Sequence, residues 1–237
     1  MPQTLKDLGV IPEIKSLSLF RAYTDSIIEN LFADSSVRIC EHRETLFELG
    51  DTAEAFYVVV SGAFKLSKPA AGGEDIIIHF STPGDVIAAF IMAQPHPTYP
   101  LNAVAMGPSR AIEVPKINYT MSWHKETQLI FGIQKLISSR MGALQNQKAL
   151  LKAPLQAKVA SLLIQLAKWT DSPNENEQIE ISIPLTRKEI ANSLGSTVES
   201  IIRIMSEWSK QGFISTNDHY ITILRPRALA EFESLGS

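Results

Sequence analysis

Glu199, Ser200 and Arg203 are hydrogen-bonding residues spaced so that one side of a helix presents them near its start. Ile201, Met205 and Trp208 recur on the opposite side at helical spacing, as a buried face requires. The surrounding stretch, PLTRKEIANSLGSTVESIIRIMSEWSKQGFI (184–214), reads as two helices and a tight turn. Thr186 followed by Glu189 has the spacing of a capping box, and Ile190 and Leu194 share the first helix's inner face. Gly195 ends that helix where a left-handed backbone costs little. Ser196 and Thr197 offer oxygens to start the second helix, with Glu199 placed to complete a second box with Ser196. A short helix, a glycine turn and a second helix with outward polar residues form a helix-turn-helix, in which the second helix enters the DNA major groove. A plain helical hairpin with solvated Glu and Arg is the alternative that the flanks must decide.

The chain has 237 residues, 45% of them hydrophobic and 20% charged, so it can bury a core in one large or two smaller domains. Its net charge of −3 excludes a globally basic, nucleic-acid-coating protein, and any phosphate-binding surface must be local. One cysteine, Cys40, rules out an internal disulfide and a four-cysteine iron–sulfur cluster, and suits a reducing cytoplasm. The expected site is cytoplasmic: no signal peptide is legible, and the longest apolar run, 86–93, is too short to span a bilayer. No GxxxxGK[ST], HExxH or GxSxG motif is present, so the chain is not expected to be an enzyme.

Residues 17–32 read as an amphipathic helix. The period then changes to two, with strand signals at 37–39, 46–47, 55–60, 63–67, 75–80, 102–106 and 111–114. Ser61-Gly62 between two β-rich runs is a hairpin signal, and many short strands argue for an antiparallel sandwich or barrel. LF at 19–20, TLFELGDTAEAFYVVVSGAFKLSK at 45–68 and PGD at 83–85 resemble the β-roll of cyclic-nucleotide-binding domains. From 117 to 151 there is no proline. Ile130, Ile133, Ile137, Met141, Leu144 and Leu151 fall near a heptad stripe that suits a parallel coiled-coil dimer, the alternative being a helix packed on its own sheet. Ala153-Pro154 marks a break. A helix at 155–169, a polar loop at 171–177 and a strand at 179–183 precede the helix pair. Segments 213–215 and 219–223 read as a hairpin about Asn217-Asp218, a wing.

β-roll, long helix and winged helix in this order resemble the Crp/Fnr family of bacterial transcription factors. The resemblance implies an α+β chain: an N-terminal antiparallel β-roll (double-stranded jelly-roll, 1–115), a long dimerisation helix (116–152) and a C-terminal winged helix-turn-helix (153–237). TVESIIR at 197–203 is close to the recognition-helix start of the Fnr branch. By that match Glu199 and Arg203 contact base edges, Arg donating to guanine and Glu accepting from cytosine. Val198 stands where the cyclic-AMP receptor branch has Arg, and Ile202 where a small or polar residue is usual. Thr186, Arg187, Ser196, Thr197 and Ser200 are phosphate-contact candidates.

The family's cyclic-nucleotide pocket needs a Gly-Glu pair and an Arg-Ser/Thr pair. Here 84–92 reads GDVIAAFIM and 98–102 reads TYPLN, without the Glu or the Arg, and Ala143-Leu144 replaces two hydroxyl residues. Ordinary cyclic AMP is therefore not the expected effector. Gly84, Asp85, Val86, Ile87, His96, Tyr99, Leu101, Asn102 and Leu144 are the candidates for an unknown small-molecule effector. The cofactor is left open: His42, His79, His96, His124 and the Pro2 amine could ligate haem, but nothing pairs them in sequence. Cys40 reads as an inert buried thiol. The implied partners are double-stranded DNA, a second copy of the chain and RNA polymerase, with no membrane. The acidic net charge favours the alternative, a signalling module of the same fold acting through a protein partner.

Overall fold

The computed structural model describes residues 9–70, 73, 75–167 and 178–234. They form two compact units: residues up to Lys68 with Ile78–Ser138, and Pro69–Ile77 with Ser139–Ser237. The division passes through the long helix, whereas the three-part expectation set that helix apart.

Period-two runs, all but Pro69 and residues 75–77 in the first unit, build antiparallel strands β1 (Ser36–Cys40), β2 (Thr45–Phe47), β3 (Ala55–Ser61), β4 (Phe64–Pro69), β5 (Asp75–Ser81), β6 (Val86–Ile87), β7 (Asn102–Ala105) and β8 (Ser109–Pro115). They form two four-stranded sheets in the orders β1-β8-β3-β6 and β2-β7-β4-β5. The strands named at the sequence level are present, but the expected β3–β4 hairpin is not. β3 pairs with β8 and β6, and β4 with β7, so the chain changes sheets at Ser61-Gly62. Ala63 is held after the corner by the Ser109 hydroxyl, which accepts from its amide at 3.0 Å.

The expected helix at 17–32 is divided into α1 (Ile11–Ser16) and α2 (Asp25–Leu31). Leu17 is extended and ends α1, and Thr24, also extended, precedes α2. Tertiary packing overrides the helical period here. Phe20, fully buried between the two helices, meets Phe32 edge-on at 5.2 Å and Trp123 at 5.8 Å.

The helix expected at 117–151 is likewise broken, into α3 (Lys116–Met121), a short 3-10 turn at Trp123–Lys125 and α4 (Thr127–Ala149). The Trp123 indole N–H donates to the Leu31 carbonyl at 2.7 Å, and Asn118 donates to the same carbonyl and to that of Ala33. Trp123 must turn inward to do this, and the helix yields at Ser122–Glu126. Leu129 and Ile133 then face the unit's own core, with Leu136 packed beside them. Ile133 therefore does not belong to an outward dimer stripe. Ile137, Met141 and Leu144 are 37%, 54% and 38% exposed, and Ile130 is half-buried.

The second unit holds α5 (Leu155–Ala167), β9 (Ile179–Glu180), α6 (Arg187–Leu194), α7 (Val198–Lys210), β10 (Ile214–Asn217), β11 (Tyr220–Ile223) and α8 (Pro226–Ser234). Residues 168–169 of the expected helix and the polar loop 171–177 lie outside the described residues. The strand expected at 179–183 pairs only at its start, though Ile181 still donates to the Ile221 carbonyl at 2.8 Å. The sheet order is β10-β11-β9, and α5 packs on α6 and α8. The wing's turn lies one residue later than expected. Asp218 and His219 both have positive φ, 46° and 68°, the type I′ pattern that fits twisted strands.

A Cβ at Gly62 would collide with the Ser109 side chain and the Pro108 carbonyl, and its φ of 72° is left-handed. Gly62→Ala is expected to lower stability by at least about 1–3 kcal/mol, read as a fall in the urea midpoint.

Candidate nucleic-acid interface

The helix pair is set by its caps. Thr186 precedes α6, accepts from the Glu189 amide at 3.1 Å and donates its hydroxyl to the Glu189 carboxylate at 2.9 Å. That carboxylate also accepts from the Thr186 amide at 3.0 Å, completing the expected capping box. Gly195 follows α6 with φ of 60°. Of the two hydroxyl residues expected at the start of the second helix one serves as cap, and the expected Ser196–Glu199 box does not form. Thr197, not Ser196, caps α7, accepting from the Ser200 amide at 3.3 Å and donating to the Ser200 hydroxyl at 3.0 Å. The Ser196 amide instead closes the turn on the Ala191 carbonyl at 3.0 Å, which moves the helix start one residue on.

Ile201, Ile204, Met205 and Trp208 bury one face of α7. Trp208 is fully enclosed, its ring 5.1 Å from Phe232. Orientation follows from that burial: Glu199, Ile202 and Arg203 lie on the exposed face, and Val198 and Ser200 are half-exposed. Ile202 is 48% exposed, a large apolar group left among polar neighbours. This face offers a carboxylate acceptor, a five-donor guanidinium and a branched hydrocarbon within one turn.

Arg187 at the start of α6 donates to the Thr216 hydroxyl of β10 at 3.1 Å, and burial lowers its guanidinium pKa from the usual value. The Leu185 amide donates to the His219 carbonyl at 2.8 Å. The wing is thus tied to the helix pair at two points. Thr216 is a residue that sequence reasoning missed, because its role depends on the hairpin's register, which the one-residue turn shift alters.

The effector candidates are mostly engaged within the protein. Gly84 makes a turn at φ of 91°, and the Asp85 carboxylate accepts from the Thr82 amide at 2.8 Å. Val86 and Ile87 are buried in β6, and the chain then passes through left-handed Ala88, φ 66°, into a 3-10 turn. Tyr99 is buried, donates to the Ala55 carbonyl at 2.7 Å and stacks on Phe47 at 3.9 Å. Tyr57 stacks on the same ring at 5.5 Å, and burial raises both phenol pKa values. Asn102 accepts from the Leu49 amide at 2.7 Å, Leu101 packs on the core, and His96 is exposed. Leu144 belongs to the second unit, where it lines a cavity.

Of the haem candidates, His42 donates to the Met106 carbonyl at 2.7 Å and His124 to that of Tyr119 at 3.2 Å. His79 is half-buried, and Pro2 lies outside the described residues. Among the described residues no cluster of three or more His, Cys, Asp or Glu is placed to hold a metal ion. None of their helices is long and apolar enough to cross a membrane. Cys40 is fully buried, and burial, reinforced by Glu44, raises its thiol pKa.

Two family models match: a Crp-like helix-turn-helix domain over residues 157–232 and a cyclic nucleotide-binding domain over 37–119. The anaerobic regulatory protein of Haemophilus influenzae is 30% identical over 182 residues, covering 76% of this chain and 69% of that protein. The fumarate and nitrate reduction regulatory protein of Escherichia coli K12 is 28% identical over 189 residues, covering 79% and 74%. The solved structure of FixK2 from Bradyrhizobium japonicum shares the fold, with a TM-score of 0.70 at 20% identity over 84% of this chain and 97% of that one.

The Thr186 hydroxyl both donates and accepts within the box, so Thr186→Val removes two contacts at once. A loss of about 1–2 kcal/mol is expected, measured as a lower denaturation midpoint with the far-ultraviolet spectrum retained.

Proposed function

The chain belongs to the Crp/Fnr family of transcription regulators, and within it we propose that it is a homodimeric, sequence-specific DNA-binding protein that reads its site with Glu199, Ile202 and Arg203. The observation that carries this reading is the exposed face of α7, aimed outward by the burial of Ile201, Ile204, Met205 and Trp208 and flanked by a tethered wing. Arg203 donates two hydrogen bonds to a guanine, and Glu199 accepts from a cytosine amino group. Ile202 and Val198 contact thymine methyl groups. Thr186, Arg187, Ser196, Thr197 and Ser200 surround the helix start and are assigned to the phosphate backbone, which positions the protein without specifying sequence. The net charge of −3 is compatible with this, since the contacts are local.

The dimer forms along α4. Ile130, Ile137 and Leu144 recur every seven residues with Met141 between them, and Ile137, Met141 and Leu144 are exposed apolar groups at coiled-coil spacing. Ile133 is left out of this seam because it serves the chain's own core. A two-fold dimer presents two α7 helices to two half-sites. RNA polymerase is the expected partner on the DNA, in the cytoplasm.

The β-roll is not assigned to ordinary cyclic AMP. The nucleotide's phosphate requires a charged partner in a buried site. The 98–102 segment that would supply one carries no Arg, and its Tyr99 is buried against Phe47. The effector is accordingly left as an unknown small molecule other than ordinary cyclic AMP. Cys40 alone offers no thiolate set for an iron–sulfur cluster.

Arg203→Ala is expected to lose selection of one site from a random DNA pool while keeping weak binding that falls steeply with salt. Recovery of the same consensus by Arg203→Ala would remove Arg203 from the readout. Ile137→Glu is expected to shift the chain toward monomer in sedimentation and weaken binding to a two-half-site DNA. An unchanged dimer would place the interface elsewhere. Calorimetric titration with cyclic AMP is expected to give no micromolar binding.

A further inference from the structure

The Ser193 hydroxyl is shielded from water and has no hydrogen-bond partner among the described residues. Leaving such a group unpaired is costly, so its setting calls for a physical explanation. Ser193 lines a cavity of about 440 Å³ in the second unit, walled by the C-terminal half of α4, by α5 and by the end of α6. The volume is in the range of small-molecule sites, about 300–1,000 Å³.

The wall has a definite chemistry. Leu150, Leu151, Leu162 and Leu194 make it largely apolar, beside Leu144, which the dimer reading also places in the seam. The ionisable residues lining it are Lys148 and Lys158, and no Asp or Glu is among them. Lys158 is held at the wall by donating to the Leu151 carbonyl at 2.8 Å, which leaves two of its three ammonium donors to serve an occupant. An apolar body would be desolvated against the leucines. A carboxylate head would meet an ammonium there, and charge-assisted hydrogen bonds are stronger than neutral ones. A neutral or cationic head would leave the lysines without a counter-charge.

We propose that this cavity binds a small amphipathic carboxylate of the medium-chain aliphatic acid type, its head on Lys158 or Lys148 and its tail on the leucines. Ser193 and Leu194 immediately precede Gly195, whose left-handed turn leads into α7. An occupant would therefore bear on the turn that sets the recognition helix. That consequence rests on the DNA-binding reading of α7, whereas the binding itself does not.

The test is calorimetric titration of the full chain, without DNA, using decanoate, decanol and decylammonium as probes. Decanoate is expected to saturate one site per chain and to bind at least about tenfold more tightly than decanol, the worth of one charge-assisted contact. Lys158→Met should erase most of that preference. Gln165→Trp, made at a half-exposed lining position to place a ring in the cavity, should abolish binding with the thermal melt unchanged. No binding of decanoate, equal binding of decanoate and decanol, or full binding by both variants would overturn the proposal. Binding seen only in monomeric Ile137→Glu would overturn it too, since a second copy would then occupy the cavity. Because no DNA is present, a negative result leaves the reading of α7 to its own test.

Discussion

The hydrogen bond from the Trp123 indole to the Leu31 carbonyl, 2.7 Å long, fixes where the long helix begins. The indole is also the hub of an aromatic cluster, with Phe56 at 4.6 Å, Phe32 at 5.4 Å and Phe20 at 5.8 Å. Pairing a buried indole N–H avoids a desolvation cost, and for Trp123 a carbonyl at the end of α2 provides the acceptor. Three pieces of chain distant in sequence are thereby joined at one side chain. The register of α4 follows: its first turns place Leu129 and Ile133 inward, and the residues at the complementary spacing are left outward.

In the C-terminal unit, burial settles the orientation of α7 and capping settles its start. Fully burying a side chain such as Ile, Met or Trp contributes roughly 1.5–3 kcal/mol or more, against about 1 kcal/mol for a cap. Four such side chains on one face of α7 therefore outweigh any preference of its exposed residues. Glu199, Ile202 and Arg203 are consequently free of structural duty in the core, and their identities can serve recognition. The tether from Arg187 to Thr216 adds a different control, since it couples the first helix of the pair to the wing.

Most elements were legible because their signals are local. The Thr186–Glu189 box, the Gly195 turn and the inner stripe of α7 depend on spacing within a dozen residues, and all are found. The departures have long-range causes. Helix 17–32 divides because Phe20 and Trp123 claim each other across about a hundred positions. Ser61-Gly62 turns between sheets because β8, remote in sequence, already occupies the edge of β3 that a hairpin would use. Ile133 fits a heptad equally well in either direction, and only the position of its own sheet decides which. At the candidate site, Thr197 displaces Ser196 as cap, since two adjacent hydroxyl residues give nearly the same sequence signal. Thr216 carried no signal at all, because its role depends on the strand register of the wing.

Cys40, the only thiol in the chain, lies at the end of β1 opposite Ser109 and is fully enclosed. A thiol kept protonated and out of reach reacts with neither oxidants nor electrophiles, because both need an accessible thiolate. Its chemistry is therefore conditional on strand separation. Modification of Cys40 by an external reagent would require that sheet edge to open.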